Sequence, residues 1–172
     1  MSRSSRRGGP IDARLRGSAK RNFIGEAFMD DIHNGSCNCG AVRFRTTGKL
    51  RDVVYCHCTQ CRKQSGHFFA ATSVAAAKLA VEGEEAITWY AASPEAQRGF
   101  CRICGSALFW KQEGGETVSI LAGAFDKPTG LKGSMHIFAV DKGDYYAIGD
   151  GLPVYPQWWP AEAVAEDETA AG

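Results

Sequence analysis

The fold class predicted by the sequence is all-β, with little helix. Short stretches rich in aromatic and β-branched residues recur at intervals of roughly ten to twenty residues, separated by Gly, Pro and charged turns. Only one stretch, about a turn long, has helical composition. At 172 residues, with 44% hydrophobic and 23% charged side chains, the chain is long enough for one domain with its own core and has ordinary globular composition.

The strands follow in order. Residues 41–45 alternate small or apolar with basic side chains, the period of a half-exposed strand. Residues 52–55 form a second strand that enters the central cysteine cluster. Residues 67–74 and 87–90 are aromatic and β-branched, which suits a pleated surface. Residues 107–110, 117–121 and 135–140 continue the series, and residues 75–79 are the single helical turn. The order suggests a sandwich-like arrangement.

Charge divides the chain. Residues 1–21 carry seven basic side chains against one acid, Asp12, a net of +6; the whole chain is +1, which leaves −5 for the rest. The mildly acidic remainder has no basic face for nucleic acid. Three segments are expected: a basic, disordered leader over 1–28, a zinc-binding domain over 29–160, and a fraying Ala/Glu-rich tail over 161–172. Four readings of the leader stand side by side: a disordered tail, an untranslated stretch before a start at Met29, an organelle transit segment, and a basic arm on nucleic acid. No run of eighteen apolar residues suggests a membrane span, and no charged stub with an apolar h-region suggests secretion. A cytoplasmic location is expected.

Location bears on the cysteines. Seven is an odd number, and in a reducing compartment a disulfide framework explains them poorly. They fall in three knots: Cys37-Asn38-Cys39, Cys56-His57-Cys58-Thr59-Gln60-Cys61, and Cys101-Arg102-Ile103-Cys104. Zinc takes four ligands tetrahedrally, and closely spaced cysteines let one turn supply two. Keeping each knot whole, Cys37, Cys39, Cys101 and Cys104 make a closed structural site. Cys56, Cys58 and Cys61 are left as a trio with one open position, the pattern of a zinc that does chemistry. Two Zn2+ per chain are expected. Closing a loop of some sixty residues costs on the order of 4 kcal/mol plus a constant. A structural zinc contributes roughly 10–16 kcal/mol in small peptides, so the quartet offsets its closure.

Three alternatives compete with this partition. The cysteines could be buried free thiols, or the C-x-x-C pairs could be redox couples. The trio could also be closed by a histidine, with His57, His67, His33 and His136 as candidates. His136, between Met135 and Ile137, reads better as a hydrogen-bonded core residue. Arg62 and Lys63 are candidates for pairing with a ligand carboxylate. Trp158 and Trp159 read as closing the core, with a pocket floor as the second reading.

The motifs Gly35-Ser36-Cys37-x-Cys39-Gly40, Cys56-His57-Cys58-x-x-Cys61-Arg62-x-x-Ser65-Gly66 and Phe100-Cys101-x-x-Cys104-Gly105-Ser106 resemble those of the glutathione-dependent formaldehyde-activating enzymes, a family that also contains centromere protein V. His136-Ile137-Phe138 and Gly151-Leu152-Pro153 are similar to its C-terminal part. The resemblance runs from about Gly35 to Pro160 and includes all seven cysteines. It implies β-sheets folded like a tent around zinc. It implies a structural zinc on Cys37, Cys39, Cys101 and Cys104, and a catalytic zinc on Cys56, Cys58 and Cys61. The implied activity is that of a carbon–sulfur lyase, with glutathione or another small thiol and an aldehyde, formaldehyde in the family, as partners. The competing function class is a non-enzymatic zinc-binding interaction module, favoured only by the basic leader.

Overall fold

The computed structural model describes residues 31–159. The expected leader over 1–28 and tail over 161–172 lie outside them, as do the ends of the expected 29–160 domain. Within the described residues the chain forms ten strands and one α-helix. In chain order these are β1 (Ile32–Ser36), β2 (Arg43–Thr47), β3 (Val53–Cys56), α1 (Thr59–Ser65), β4 (Phe69–Ala75), β5 (Leu79–Glu82), β6 (Ile87–Ser93), β7 (Ala96–Cys101), β8 (Ala107–Gln112), β9 (Thr117–Leu121) and β10 (Gly133–Ile137). Mainly β is the class the sequence predicts. Among the described residues, no helix is long and apolar enough to cross a membrane.

Two sheets share one core. The smaller has the order β1-β2-β5 and the larger β10-β3-β4-β9-β8-β7-β6. Neighbours are antiparallel except β10 and β3, which run parallel. Alternation on β2 puts Phe44 and Thr46 inside and Arg43 and Arg45 outside. Phe44 meets Phe109 of the larger sheet edge-on at 5.7 Å and Phe125 at 5.1 Å. Val42, Leu108 and Ile120 are wholly buried around them. Apolar burial of this kind stabilises by about 1.5–3 kcal/mol per large side chain. Cys37 and Cys101 belong to the same cluster, so one cysteine site is built into the core.

Three strands escape the sequence reading. β1 is polar and contains Gly35, yet it pairs fully with β2. A Cβ at Gly35 would sit 2.3 Å from the Phe44 ring and 2.4 Å from the Ala124 carbonyl, so only glycine permits that approach. β5 follows the helical turn, a 3-10 turn over Ala76–Lys78, and edges the small sheet. β7 lacks β-branched residues but is hydrogen-bonded on both sides, to β6 and β8. Tertiary pairing overrides propensity there.

Candidate metal centres

The quartet forms where β1 and β7 end. The Cys37 N–H donates to the Val42 carbonyl at 2.9 Å and the Gly40 N–H to the Cys37 carbonyl at 3.0 Å, closing a turn that carries Cys37 and Cys39. A matching turn follows β7, with the Gly105 N–H donating to the Cys101 carbonyl at 2.8 Å. The four Sγ atoms lie within 4.8 Å of one another, with Cys37–Cys39 at 3.5 Å and Cys39–Cys101 at 3.8 Å. All seven cysteines are free thiols. A tetrahedron with metal–sulfur bonds of about 2.3 Å has sulfur–sulfur edges of about 3.8 Å. The quartet therefore fits a tetrahedral metal. Hydrogen bonds from the Ser106 hydroxyl and N–H hold Cys104 down to about 5. Cys39, despite the Ala41 N–H that pulls it down, is pushed up to about 12 by contact with Cys37.

The trio comes from one short segment. Cys56 ends β3, Cys58 caps α1, and Cys61 lies in the first turn of α1. Cys58 has extended backbone, and its sulfur accepts from the Cys61 N–H at 3.5 Å. This is the position where a helix needs an acceptor for its free N–H groups. Gly66 ends α1 in the left-handed conformation, φ 78°, which favours glycine. The three Sγ atoms lie within 4.8 Å of one another. Cys58 is pulled down to about 2 by thiol hydrogen bonds from Cys56 and Cys61, and Cys56 is held up by the same contacts. A divalent cation held by the three sulfurs would stabilise all of them as thiolates.

Among the described residues no histidine nitrogen joins the trio. His33 packs against Phe125, and His67 against Phe68 and Tyr146. His57, although it sits inside the knot, projects away from the sulfurs into a buried chain. Asp150 can only accept, so His136 Nε2–H donates to it, at 2.9 Å. His57 Nε2–H then donates to His136 Nδ1 at 2.8 Å, and the Tyr146 hydroxyl donates to His57 Nδ1 at 2.6 Å. Burial first, then the neighbouring His136, His67 and Lys142, push His57 down to about 4, which keeps it neutral. His136, 3% exposed, is the hydrogen-bonded core residue the sequence suggests.

All three trio cysteines line a cavity of about 520 Å³. Its aromatic lining includes Phe69, Trp110, Phe138, Trp158 and Trp159, and Arg51 and Arg98 are its two cations. Trp158 is 57% exposed, which corrects its reading as a core-closing residue: Trp158 and Trp159 stack on each other as a wall of the cavity. Phe138, an aromatic at φ 55°, stands beside Trp158 at 5.8 Å. Bulky residues rarely adopt that backbone region. A second recess, about 490 Å³, borders the quartet, but Cys37 is the one quartet cysteine that lines it.

The expected carboxylate partners lie elsewhere. Neither Arg62 nor Lys63 lines the cavity, and Arg62 Nε donates to the Asp141 carbonyl at 2.9 Å. Arg51 is spent on Ser73 Oγ and the carbonyls of Asp52 and Ala71. Arg98 escapes the sequence reading altogether. It is 5% exposed and its Nη2 lies 3.6 Å from Cys61 Sγ. An arginine three residues before a C-x-x-C, inside a strand, is the only sequence signal it leaves.

Two sheets and two thiol clusters define a β-protein with sites suited to metal ions. The chain belongs to the family of glutathione-dependent formaldehyde-activating enzymes, whose sequence model matches residues 32–141. Its similar proteins include an uncharacterized lyase of Schizosaccharomyces pombe, 31% identical over 84 residues, which are 49% of this chain and 61% of that protein. A Halomonas elongata protein, provisionally named a glutathione-dependent formaldehyde-activating enzyme, is 37% identical over 83 residues, 44% of this chain and 53% of its own. The chain thus spans only 53% to 61% of the length of these curated relatives. A Rhodobacter sphaeroides protein of known crystal structure aligns over 71% of this chain and 98% of its own, at 21% identity and a TM-score of 0.48.

Proposed function

We propose that this protein is a zinc-dependent carbon–sulfur lyase that makes and breaks the adduct of a small thiol with an aldehyde. Glutathione and formaldehyde are the pair that family membership supports. The single observation that carries the reading is the trio: three mutually close thiols, facing a cavity, with no fourth protein ligand among the described residues. The quartet serves as the structural metal site.

Cys56, Cys58 and Cys61 would hold the catalytic ion. Held there, zinc would supply the positive charge that ionises an incoming thiol at neutral pH. A free thiol with pKa near 8.5 is only about 3% thiolate at pH 7, so ionisation contributes at most about thirty-fold. The remaining rate gain falls to the chain's own residues. The aromatic walls exclude water and hold thiol and aldehyde together. In the forward step the thiolate sulfur attacks the carbonyl carbon and a C–S bond forms. The carbonyl π pair moves to oxygen, which takes up the proton the thiol released. The lyase direction breaks the same C–S bond and returns the proton to sulfur. Arg98 supplies positive charge beside the trio.

The test is exchange spectroscopy. Carbon-13 formaldehyde and glutathione equilibrate with S-hydroxymethylglutathione without help, and magnetisation transfer reads the rate. Wild-type protein should raise the exchange rate in proportion to its concentration, and Cys58→Ser should not. An exchange rate indifferent to the wild-type protein contradicts the proposal.

A further inference from the structure

We infer that Arg98 is the counter-charge of the three-cysteine centre and biases its open position toward an anionic sulfur ligand. The inference rests on the lyase reading for the nature of that ligand, and on geometry alone for the charge pairing.

Arg98 lies in β7 between two hydrogen-bonded neighbours, with its guanidinium under α1. Its polar partners are neutral or sulfur. Nη1 donates to Gln64 Oε1 at 3.1 Å, Nη2 to Gln60 Oε1 at 3.5 Å and to Cys61 Sγ at 3.6 Å. Nε, fully buried, has no partner among the described residues, and no carboxylate pairs with this side chain there. The carbon of the guanidinium lies 5.4 Å over the Phe69 ring, which offers only a quadrupole. Arginine keeps its charge, and a buried charge without a counter-ion is strongly disfavoured. The nearest groups able to carry negative charge are the trio sulfurs.

A divalent cation on three thiolates carries one net negative charge, and Arg98 brings the ensemble to neutral. A fourth, anionic ligand then leaves a single negative charge in the cavity. Without Arg98 it would leave two, in a half-enclosed site where repulsion is poorly screened. Arg98 therefore favours thiolate over neutral ligands such as water or imidazole. Gln60 and Gln64, one helical turn apart on α1, hold the fork in place without cancelling its charge. Arg98 acts through the thiolates, so it is a positioning residue.

The test uses the full-length protein loaded with cobalt, whose visible spectrum separates thiolate sites by coordination. Wild type, Arg98→Gln and Arg98→Lys are compared by chelator competition, then titrated with glutathione and, separately, with imidazole. Arg98→Gln should weaken cobalt binding at the trio about tenfold and glutathione binding by a similar factor, with imidazole affinity changed by less than about twofold. Arg98→Lys should restore most of both. Unchanged cobalt affinity and an unchanged preference for thiol over imidazole in Arg98→Gln overturn the inference, as does equal weakening of both ligands. If Arg98→Gln loses the quartet's spectrum and so its fold, Arg98→Lys decides. Trio affinity within about threefold of wild type supports the charge, and a tenfold loss assigns the residue to packing. A wild-type trio that ignores glutathione defeats the lyase reading, while the chelator arm still decides the charge pairing.

Discussion

The quartet and the trio use one kind of ligand and differ in how the fold assembles them. Cys39 and Cys101, in sulfur contact, are 62 residues apart in sequence, and Cys37 and Cys101 are embedded in the main core. The trio is gathered from one strand end and one helix turn, in a smaller cluster with Phe69 and Ala71. Burial alone does not separate the sites, because Cys39 is exposed. What separates them is the number of sulfurs the chain brings together, and what those sulfurs face. A metal on the four sulfurs, which come from distant segments, would cross-link the domain. Three sulfurs from a local segment hold little of the fold together and open onto a cavity.

One substitution in each site should separate the two by the largest effect. Cys101→Ser removes a wholly buried sulfur of the proposed structural metal site. Structural zinc contributes roughly 10–16 kcal/mol in small peptides, as much as the total stability of most domains, about 5–15 kcal/mol. The variant should lose its cooperative thermal transition and its β-type circular dichroism. Cys58→Ser should keep both, with Tm within about 5 °C of wild type, roughly 1–2 kcal/mol, while metal analysis finds one equivalent fewer. A Cys58→Ser protein that unfolds like Cys101→Ser would erase the distinction between the two sites.

A smaller effect sharpens the boundary of the trio. Tyr146→Phe leaves the buried Nδ1 of His57 without its donor. Leaving a buried acceptor unsatisfied costs about 1–3 kcal/mol, which urea denaturation of the metal-loaded protein will read. Because His57 projects away from the sulfurs, cobalt spectra of this variant should match wild type; an altered trio spectrum would tie the histidine chain to the metal.

Smallest is Asp150→Asn at the exposed end of the same chain. The hydrogen bond from His136 holds the Asp150 carboxyl below its ordinary range. A depressed carboxylate contributes stability above its unfolded pKa, near 3.9 in model peptides, and loses it only as pH falls through the folded value. The variant should therefore be slightly less stable than wild type by the same margin at pH 7 and pH 8.5. A margin that changes within that window contradicts the assignment.

Much of this was legible in the cysteines. The grouping into four and three needs only their spacing, because a closely spaced pair has little room to face different metals. The strands around Phe69, Phe109 and Ile120 were legible because aromatic and β-branched residues cluster there. The helix α1 was not: its seven residues overlap the cysteine knot, and its cap is a thiol, where Ser, Thr, Asp or Asn would signal a start. Arg98 was hidden for a related reason. A single arginine in a short strand carries no pattern, and its meaning depends on α1 folding over it. Trp158 and Trp159 read as core because large aromatics usually are, yet they stack on each other at the rim of a cavity.

Metal stoichiometry under mild chelation, followed by glutathione titration, separates a four-sulfur anchor from a three-sulfur working site. Two equivalents per chain are expected, one removed early without loss of fold, with a cobalt spectrum that answers to glutathione only while that first equivalent is present. Both metals leaving together, or a thiol response that survives emptying of the trio, would contradict that division.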